Sequence, residues 1–108
     1  MPQVLQSLVF LLKPGHSRPF LEWSRRAFDQ FLCAQEGFLA WEVLQAKDGR
    51  WFLMLRWQDP PSAEAANNAW RDHALRRELD ALVQSGSFES NQMLSLRYEE
   101  PEDTFIRH

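Results

Sequence analysis

The sequence predicts an α+β domain in which a four-stranded antiparallel sheet carries its helices on one face. Three observations lead to this fold class. Strand-like runs and amphipathic helical segments follow one another in the order strand, helix, strand, strand, helix, strand. A composition of 44% hydrophobic and 13% aromatic residues is enough for a packed core. A length of 108 residues suits one domain and is short for two.

The first strand and the first helix occupy the N-terminal third of the chain. Residues 4–13, VLQSLVFLLK, are rich in apolar side chains and end at the turn pair Pro14-Gly15, which indicates a strand. From Pro19 apolar residues recur at spacings of three, four and seven, which predicts a helix that stops before Gly37. Cys33, the one cysteine, falls within this helical pattern, so we expect a buried core residue.

A hairpin follows, formed by residues 38–45 and 50–57 around the tight turn 47–49. In its second strand the side chains alternate between two faces, with Trp51, Leu53, Leu55 and Trp57 on one and Phe52, Met54 and Arg56 on the other. Both faces are largely apolar, so this strand needs cover on two sides. Because one helical layer covers only one face, we expect a second copy of the chain to cover the other.

The segment from 62 to 85 does not fit one straight helix. Its first apolar stripe ends at Trp70 and His73, whereas the stripe that starts at Leu75 lies nearly opposite. We therefore predict a break, with Ser62 capping the first half and Asp72 capping a second half that His73 opens. The positive end of that helix would disfavour an imidazolium. Two roles stay open for His73, a backbone hydrogen bond at the kink or a direct part in chemistry.

A last strand over residues 88–98 completes a βαββαβ, ferredoxin-like domain at residues 1–98. We predict that two such sheets pack into a homodimeric barrel that encloses small-molecule pockets. The acidic tail 99–108 is either mobile or laid across the neighbouring subunit, and only Phe105 and Ile106 favour the second possibility.

Charge and composition exclude several classes of function. A net charge of −3 with scattered basic residues leaves no face for nucleic acid. The apolar run 4–12 is too short and too interrupted for a membrane span or a leader, so we expect a cytoplasmic protein. The three histidines share no ligand spacing, and the glycines form no phosphate loop, so we expect neither a metal nor another cofactor.

Three segments carry a resemblance to a known family: EGFLAWEVLQ (36–45), WFLMLRWQD (51–59) and NAWRDH (68–73). In their order and spacing they resemble the antibiotic biosynthesis monooxygenases, which are small dimeric α/β barrels, over residues 4–98. Trp57 is similar to the tryptophan that ends strand three in that family, and His73 to the histidine after its helix break. The resemblance implies cofactor-independent oxidation of a phenolic or quinol-type molecule by O2 in a dry apolar pocket.

On this basis we predict a site with His73 and Trp57 as its catalytic residues. The predicted substrate-binding residues are Trp51, Leu53, Leu55, Arg56, Trp70, Asn91 and Tyr98.

The chain also departs from its relatives at informative positions. Leu53 stands where some of the oxygenases carry an asparagine, and leucine offers no hydrogen bond. Haem-degrading members of the family use an asparagine, a tryptophan and a histidine for this reaction. The matching positions in this sequence are Leu8, Asn68 and Glu78, which argues against haem degradation. The alternative function is therefore a non-catalytic, small-ligand-binding or stress-related dimeric barrel, since a fold does not fix a function.

Overall fold

The computed structural model describes residues 1–99 and 101. Four strands and three helices follow one another in the predicted order, with the last predicted helix divided in two. They are β1 (Gln3–Phe10), α1 (Ser17–Gln30), β2 (Phe38–Gln45), β3 (Trp51–Trp57), α2 (Pro60–Trp70), α3 (Ala74–Leu82) and β4 (Glu89–Ser95), with a short 3₁₀ helix (Leu32–Ala34) after α1.

The sheet is antiparallel throughout and has the strand order β2-β3-β1-β4. Val4 pairs with Trp57 and Phe10 with Trp51, so alternate residues of β1 and β3 share the face that the helices cover. A register shift between Phe38 and Ala40 interrupts the pairing of β2 with β3. The βαββαβ, ferredoxin-like fold class predicted from the sequence is confirmed.

The core lies between this face and the helices. In β3 every second side chain is buried, from Trp51 to Trp57, as the apolar alternation predicts. Phe20 of α1 is fully buried and contacts the ring of Trp51 edge-on at 5.1 Å between centroids. Each large apolar side chain buried in this way contributes about 1.5–3 kcal/mol. The paired aromatic rings therefore hold α1 on the sheet.

The predicted break in the second helical region is confirmed, but its cap is one residue later than expected. His73 has extended backbone angles (φ −74°, ψ 144°), and its Nδ1 accepts a hydrogen bond from the N–H of Leu75 at 3.1 Å. Asp72 stays in the turn that follows α2, so the prediction of Asp72 as the cap is wrong. The break turns Ala66 of α2 and Leu79 of α3 into the same core.

The start of α2 also differs from the prediction by a few residues. Asp59 is the cap, since its Oδ1 accepts from the N–H of Ser62 at 2.9 Å, and Pro60 follows at the first helical position. The prediction of Ser62 as the cap is therefore wrong. Gly37 packs against this turn with φ 81°, and a side chain there would collide with Ser62.

Two further expectations concern Cys33 and the C-terminal tail. Cys33 is exposed, because α1 ends at Gln30 and the chain tightens into the 3₁₀ helix, which keeps Leu32 in the core and turns Cys33 outward. The expectation of a buried cysteine is wrong. The predicted tail, including Phe105 and Ile106, lies outside the described residues except for Glu99 and Pro101.

Substituting His73 tests how much this cap contributes to stability. His73→Ala removes the acceptor for the Leu75 N–H and the ring that stacks on Trp70, so we expect a loss of about 1–2 kcal/mol in the free energy of unfolding. His73→Asn keeps a capping oxygen and should recover about half of that loss. Urea unfolding measures both values. Equal stability of His73→Ala and the wild type would contradict the capping role.

The cap of α2 predicts a pH dependence. Hydrogen bonds from Ser62, first from its side chain and then from its backbone N–H, lower the pKa of Asp59. A lowered folded-state pKa means that the stabilisation is complete above the unfolded-state value and is lost as the pH falls through the folded-state value. We therefore expect wild type to lose Tm faster than Asp59→Asn between about pH 5 and pH 2, the range in which carboxylates titrate.

The asparagine variant is the matched control, because its side-chain oxygen still accepts from Ser62 but does not titrate. Thermal melts followed by circular dichroism at each pH give the comparison. Parallel Tm profiles for the two proteins would show that the Asp59 carboxylate does not carry the acid sensitivity.

Candidate ligand-binding cavity

A cavity of about 330 Å³ lies between the helix-covered face of the sheet and the helices. Its walls come from all four strands and all three helices, so it lies within a single chain. The strand residues that line it are Gln6, Leu8, Trp41, Leu53, Leu55, Trp57 and Ser90, and the rest are Trp23, Ala27, Phe31, Leu32, Ala66, Asn67, Trp70, Arg76, Leu79, Asp80 and Phe88. The volume is in the range of small-molecule sites.

Four tryptophan side chains contribute to the wall, and their contacts fix them in place. The indole N–H of Trp23 donates to the carbonyl oxygen of Leu75 at 2.8 Å, which ties α1 to the first turn of α3. Trp70 packs against Phe31 with 4.9 Å between ring centroids and edge-on against Trp23 at 6.1 Å. Rings held in this way give the cavity a fixed shape that suits a planar apolar molecule.

Polar groups enter the apolar interior along one line of hydrogen bonds. The indole Nε1 of Trp57 donates to Oε1 of Gln6 at 3.1 Å, and Nε2 of Gln6 donates to Oδ1 of Asn67, also at 3.1 Å. The line joins β3, β1 and α2 across the floor of the cavity. Trp57 is 1% exposed and Gln6 is 6% exposed, so the hydrogen bond between them is shielded from water, whereas the bond from Gln6 to the half-buried Asn67 is only partly shielded.

Sequence reasoning missed Gln6 and Asn67. One signal was available for Gln6: it is the polar member of the alternating row Val4, Gln6, Leu8 and Phe10, and such a residue must find a partner when it is buried. Asn67 lies in an alanine-rich helix and gives no such signal. Its place in the cavity follows from the angle at which α2 crosses the sheet.

The cavity opens where its lining residues are exposed. Arg76 and Asp80 lie one turn apart on α3, Phe88 immediately precedes β4, and Ser90 is the second residue of that strand. Arg76 is anchored by a hydrogen bond from its Nη1 to the carbonyl oxygen of Arg71 at 3.1 Å. The mouth therefore carries one positive and one negative side chain, while the interior is apolar apart from the line of amides.

The structure brings four of the predicted site residues together. Trp57, Leu53, Leu55 and Trp70 all line the cavity. Trp51 is on the same sheet face, but it is buried under Phe20 and is not part of the lining. Trp41 and Leu8 complete the strand wall, and the face of β3 that lines the cavity is one of the two faces that its alternation separates.

Three other predicted residues belong to the opposite face or lie beyond the sheet. Arg56 donates from Nη1 to Oε1 of Gln3 at 3.1 Å, and its guanidinium lies 5.9 Å from the ring centre of Tyr98. Tyr98 follows β4 and is 71% exposed. Asn91 lines a shallow depression on the sheet together with Ser7. In this chain these residues are apart from the cavity.

His73 lies behind the cavity wall. Its imidazole stacks on Trp70 at 5.9 Å and meets Phe31 edge-on at 5.1 Å, and both of those rings line the cavity. Its Nδ1 is occupied by the N–H of Leu75. Through these contacts His73 sets the position of two wall residues, and it is not itself part of the lining.

Neither a metal site nor a membrane span is visible in residues 1–99 and 101. In that part of the chain no three His, Cys, Asp or Glu side chains form a group that could hold a metal ion. Over the same residues no helix is both long enough and apolar enough to cross a membrane.

Comparison with known proteins identifies the fold. The sequence matches no protein-family model and no curated protein. A monooxygenase from the gene ActVA-Orf6 of Streptomyces coelicolor, solved with the ligand nanaomycin D, is 17% identical with a TM-score of 0.76 and covers 94% of each chain. SnoaB, a cofactor-independent oxygenase from Streptomyces nogalater solved as the mutant N63A, is 18% identical with a TM-score of 0.71, over 94% of this chain and 100% of that one.

A third structure comes from Bordetella bronchiseptica and is assigned as an antibiotic biosynthesis monooxygenase. It is 11% identical, has a TM-score of 0.75, and covers 90% of this chain and 100% of that one. Identities this low show a shared fold and no more. The chain therefore has the fold of the antibiotic biosynthesis monooxygenases, as its sequence resemblance predicted.

Proposed function

We propose that this protein is a cytoplasmic, cofactor-independent monooxygenase that oxidises an aromatic, phenolic or quinol-type molecule in the cavity. The observation that carries the proposal is the cavity itself, a mainly apolar space of about 330 Å³ with four tryptophans in its lining and one line of hydrogen-bonded amides. Structures with the same fold include a monooxygenase and a cofactor-independent oxygenase. The cytoplasm is proposed from the lone cysteine, which cannot form an intrachain disulfide.

The proposed reaction needs little from the protein beyond a shaped and dry site. An electron-rich substrate such as an anthrone can give electrons to O2 directly: its CH2 group becomes C=O, one oxygen atom enters the product and the other leaves as water. Apolar walls such as Leu53 and Leu55 exclude bulk water, and N–H donors stabilise negative charge that develops on the substrate oxygen. Trp57 is central, because it is both a wall and the first donor of the amide line.

Oxygen consumption tests the proposal. We expect uptake of O2 with at least one member of a panel of anthrones and hydroquinones, and a fall of about tenfold or more in kcat/KM for Trp57→Phe, because the loss of the indole N–H frees the amide of Gln6 to rotate. Phe10→Leu is the control, since it changes a buried aromatic residue outside the lining and should keep most of the activity. No uptake across the panel would contradict the enzyme proposal.

A specific observation favours the second candidate, a non-catalytic ligand-binding barrel. Leu53 is 2% exposed and lines the cavity, so the position that carries an asparagine in some oxygenases here offers only apolar surface. His73 is occupied as a helix cap and is not part of the lining, so the titratable side chains among the described lining residues are Arg76 and Asp80 at the mouth. Saturable quenching of tryptophan fluorescence by quinones and phenols, without O2 uptake, would identify the binding module.

We also propose that the protein is a homodimer whose sheets pack through their uncovered faces. On the face opposite the helices, half-buried or exposed apolar side chains are interspersed with polar ones such as Ser7, Glu42 and Arg56; the apolar ones are Leu5, Val9, Leu44, Phe52, Met54 and Met93. Large apolar side chains that share one uncovered sheet face favour an interaction surface there. The same face of a second copy supplies matching apolar cover and brings the residues around Arg56 into the interface.

The dimer proposal predicts a mass of two chains at micromolar concentration, measured by size-exclusion chromatography with light scattering. Met54→Glu places a charge in the centre of the uncovered face and should give a monomer, because an unpaired charge is costly in an apolar interface. Leu21→Glu puts the same charge on the exposed side of α1 and should stay dimeric. A monomeric wild type would contradict the proposal.

A further inference from the structure

The chemistry of the amide line fixes which way each amide points. An indole N–H can only donate, so the atom of Gln6 that faces Trp57 must be the oxygen. The nitrogen of Gln6 then faces Asn67 and donates to it, so the atom of Asn67 that accepts must be its oxygen. Trp57 therefore sets the orientation of both amides, and the NH2 group of Asn67 is turned away from the line.

This NH2 group has access to open space. Asn67 lines the cavity, and within the described residues its Nδ2 has no hydrogen-bond partner. In the same part of the chain no buried side-chain nitrogen or oxygen lacks a partner. The nitrogen of Asn67 is therefore accessible, and Asn67 borders the cavity.

We propose that Asn67 is the specificity-determining residue of the cavity, with its Nδ2 donating to an acceptor oxygen of the ligand, and that Gln6 and Trp57 are the positioning residues that hold it in this orientation. The inference rests on the proposed function, which places an aromatic ligand in the cavity, and adds the chemistry that the ligand must present. That chemistry is a carbonyl or phenolate oxygen on an apolar ring system. An aromatic amine, which presents N–H to N–H, is disfavoured.

A matched pair of ligands isolates this contact. 1-Tetralone and tetralin have nearly the same shape and differ by a carbonyl in place of a methylene. Because the carbonyl is better hydrated in water, the informative quantity is the ratio of the two Kd values, compared between variants rather than taken alone. Titrations followed by NMR give both constants. In wild type, 1-tetralone should also shift the side-chain NH2 resonances of Asn67 more than tetralin does.

Asn67→Asp replaces the donor with a second oxygen of nearly the same size. One carboxylate oxygen still accepts from Gln6, while the other faces the ligand and repels its carbonyl. We expect the preference for 1-tetralone over tetralin to fall by about tenfold, which is the upper range for one hydrogen bond. Asn68→Asp adds the same charge at the next residue of α2, which is exposed and outside the lining, and should leave the ratio unchanged.

Gln6→Glu tests the positioning role. At a pH where the new carboxyl group is ionised, it accepts from Trp57 on one side and requires a donor on the other, so the amide of Asn67 must turn over and present its oxygen to the cavity. The ratio should fall as in Asn67→Asp, although the predicted contact residue is unchanged. A purely structural role for Gln6 would weaken both ligands equally.

The outcomes separate the two proposals. Ratios in Asn67→Asp and Gln6→Glu that stay within about twofold of wild type, while tetralin still binds, overturn the role of Asn67 and leave the proposed function standing. Should Gln6→Glu fail to fold, Asn67→Asp and the wild-type NH2 resonances decide. If neither compound binds the wild type, the ligand-binding function fails and this inference fails with it.

Discussion

The break between α2 and α3 is the constraint on which the cavity depends. One continuous helix could direct only one of its two apolar stripes to the sheet, whereas the turn ending at His73 directs both inward. Asn67 and Trp70 from the first half and Leu79 from the second consequently face the same space. The cap at His73 and the stacking of its ring on Trp70 hold the angle between the halves. His73 thus contacts the cavity through Trp70 and Phe31, the wall residues that it supports.

The cavity separates the two tasks of a binding site. Apolar side chains such as Leu53 and Trp41 supply contact area. The line of hydrogen bonds from Trp57 through Gln6 to Asn67 sets the orientation of the polar groups. Because an indole cannot accept a hydrogen bond, the polarity of that line is set at one end and transmitted through two amides. The position of either amide alone would not determine which way its oxygen and nitrogen point. The orientation is built into the fold, and no charge needs to be buried to maintain it.

The sequence predicted what periodicity controls. The alternation in β3 separated its two faces, and the mismatch of stripes after Trp70 located the break, because both patterns follow from local geometry. Contacts between residues that are distant in the sequence could not be predicted from periodicity. The pairing of Gln6 with Asn67 depends on the register of β1 beside β3 and on the crossing of α2, and Cys33 depended on where α1 gives way to a tighter turn. Arg56 lies away from the cavity, on the face that its alternation with Trp57 requires.

Because Cys33 is exposed, a thiol reagent can modify the protein at this residue. The chain has no other cysteine, and the residue before this one, Leu32, lines the cavity. A thiol-reactive dye attached there would sit beside the wall without occupying the site. Because Leu32 lines the cavity, a change in the emission of this dye would report filling of the cavity in real time.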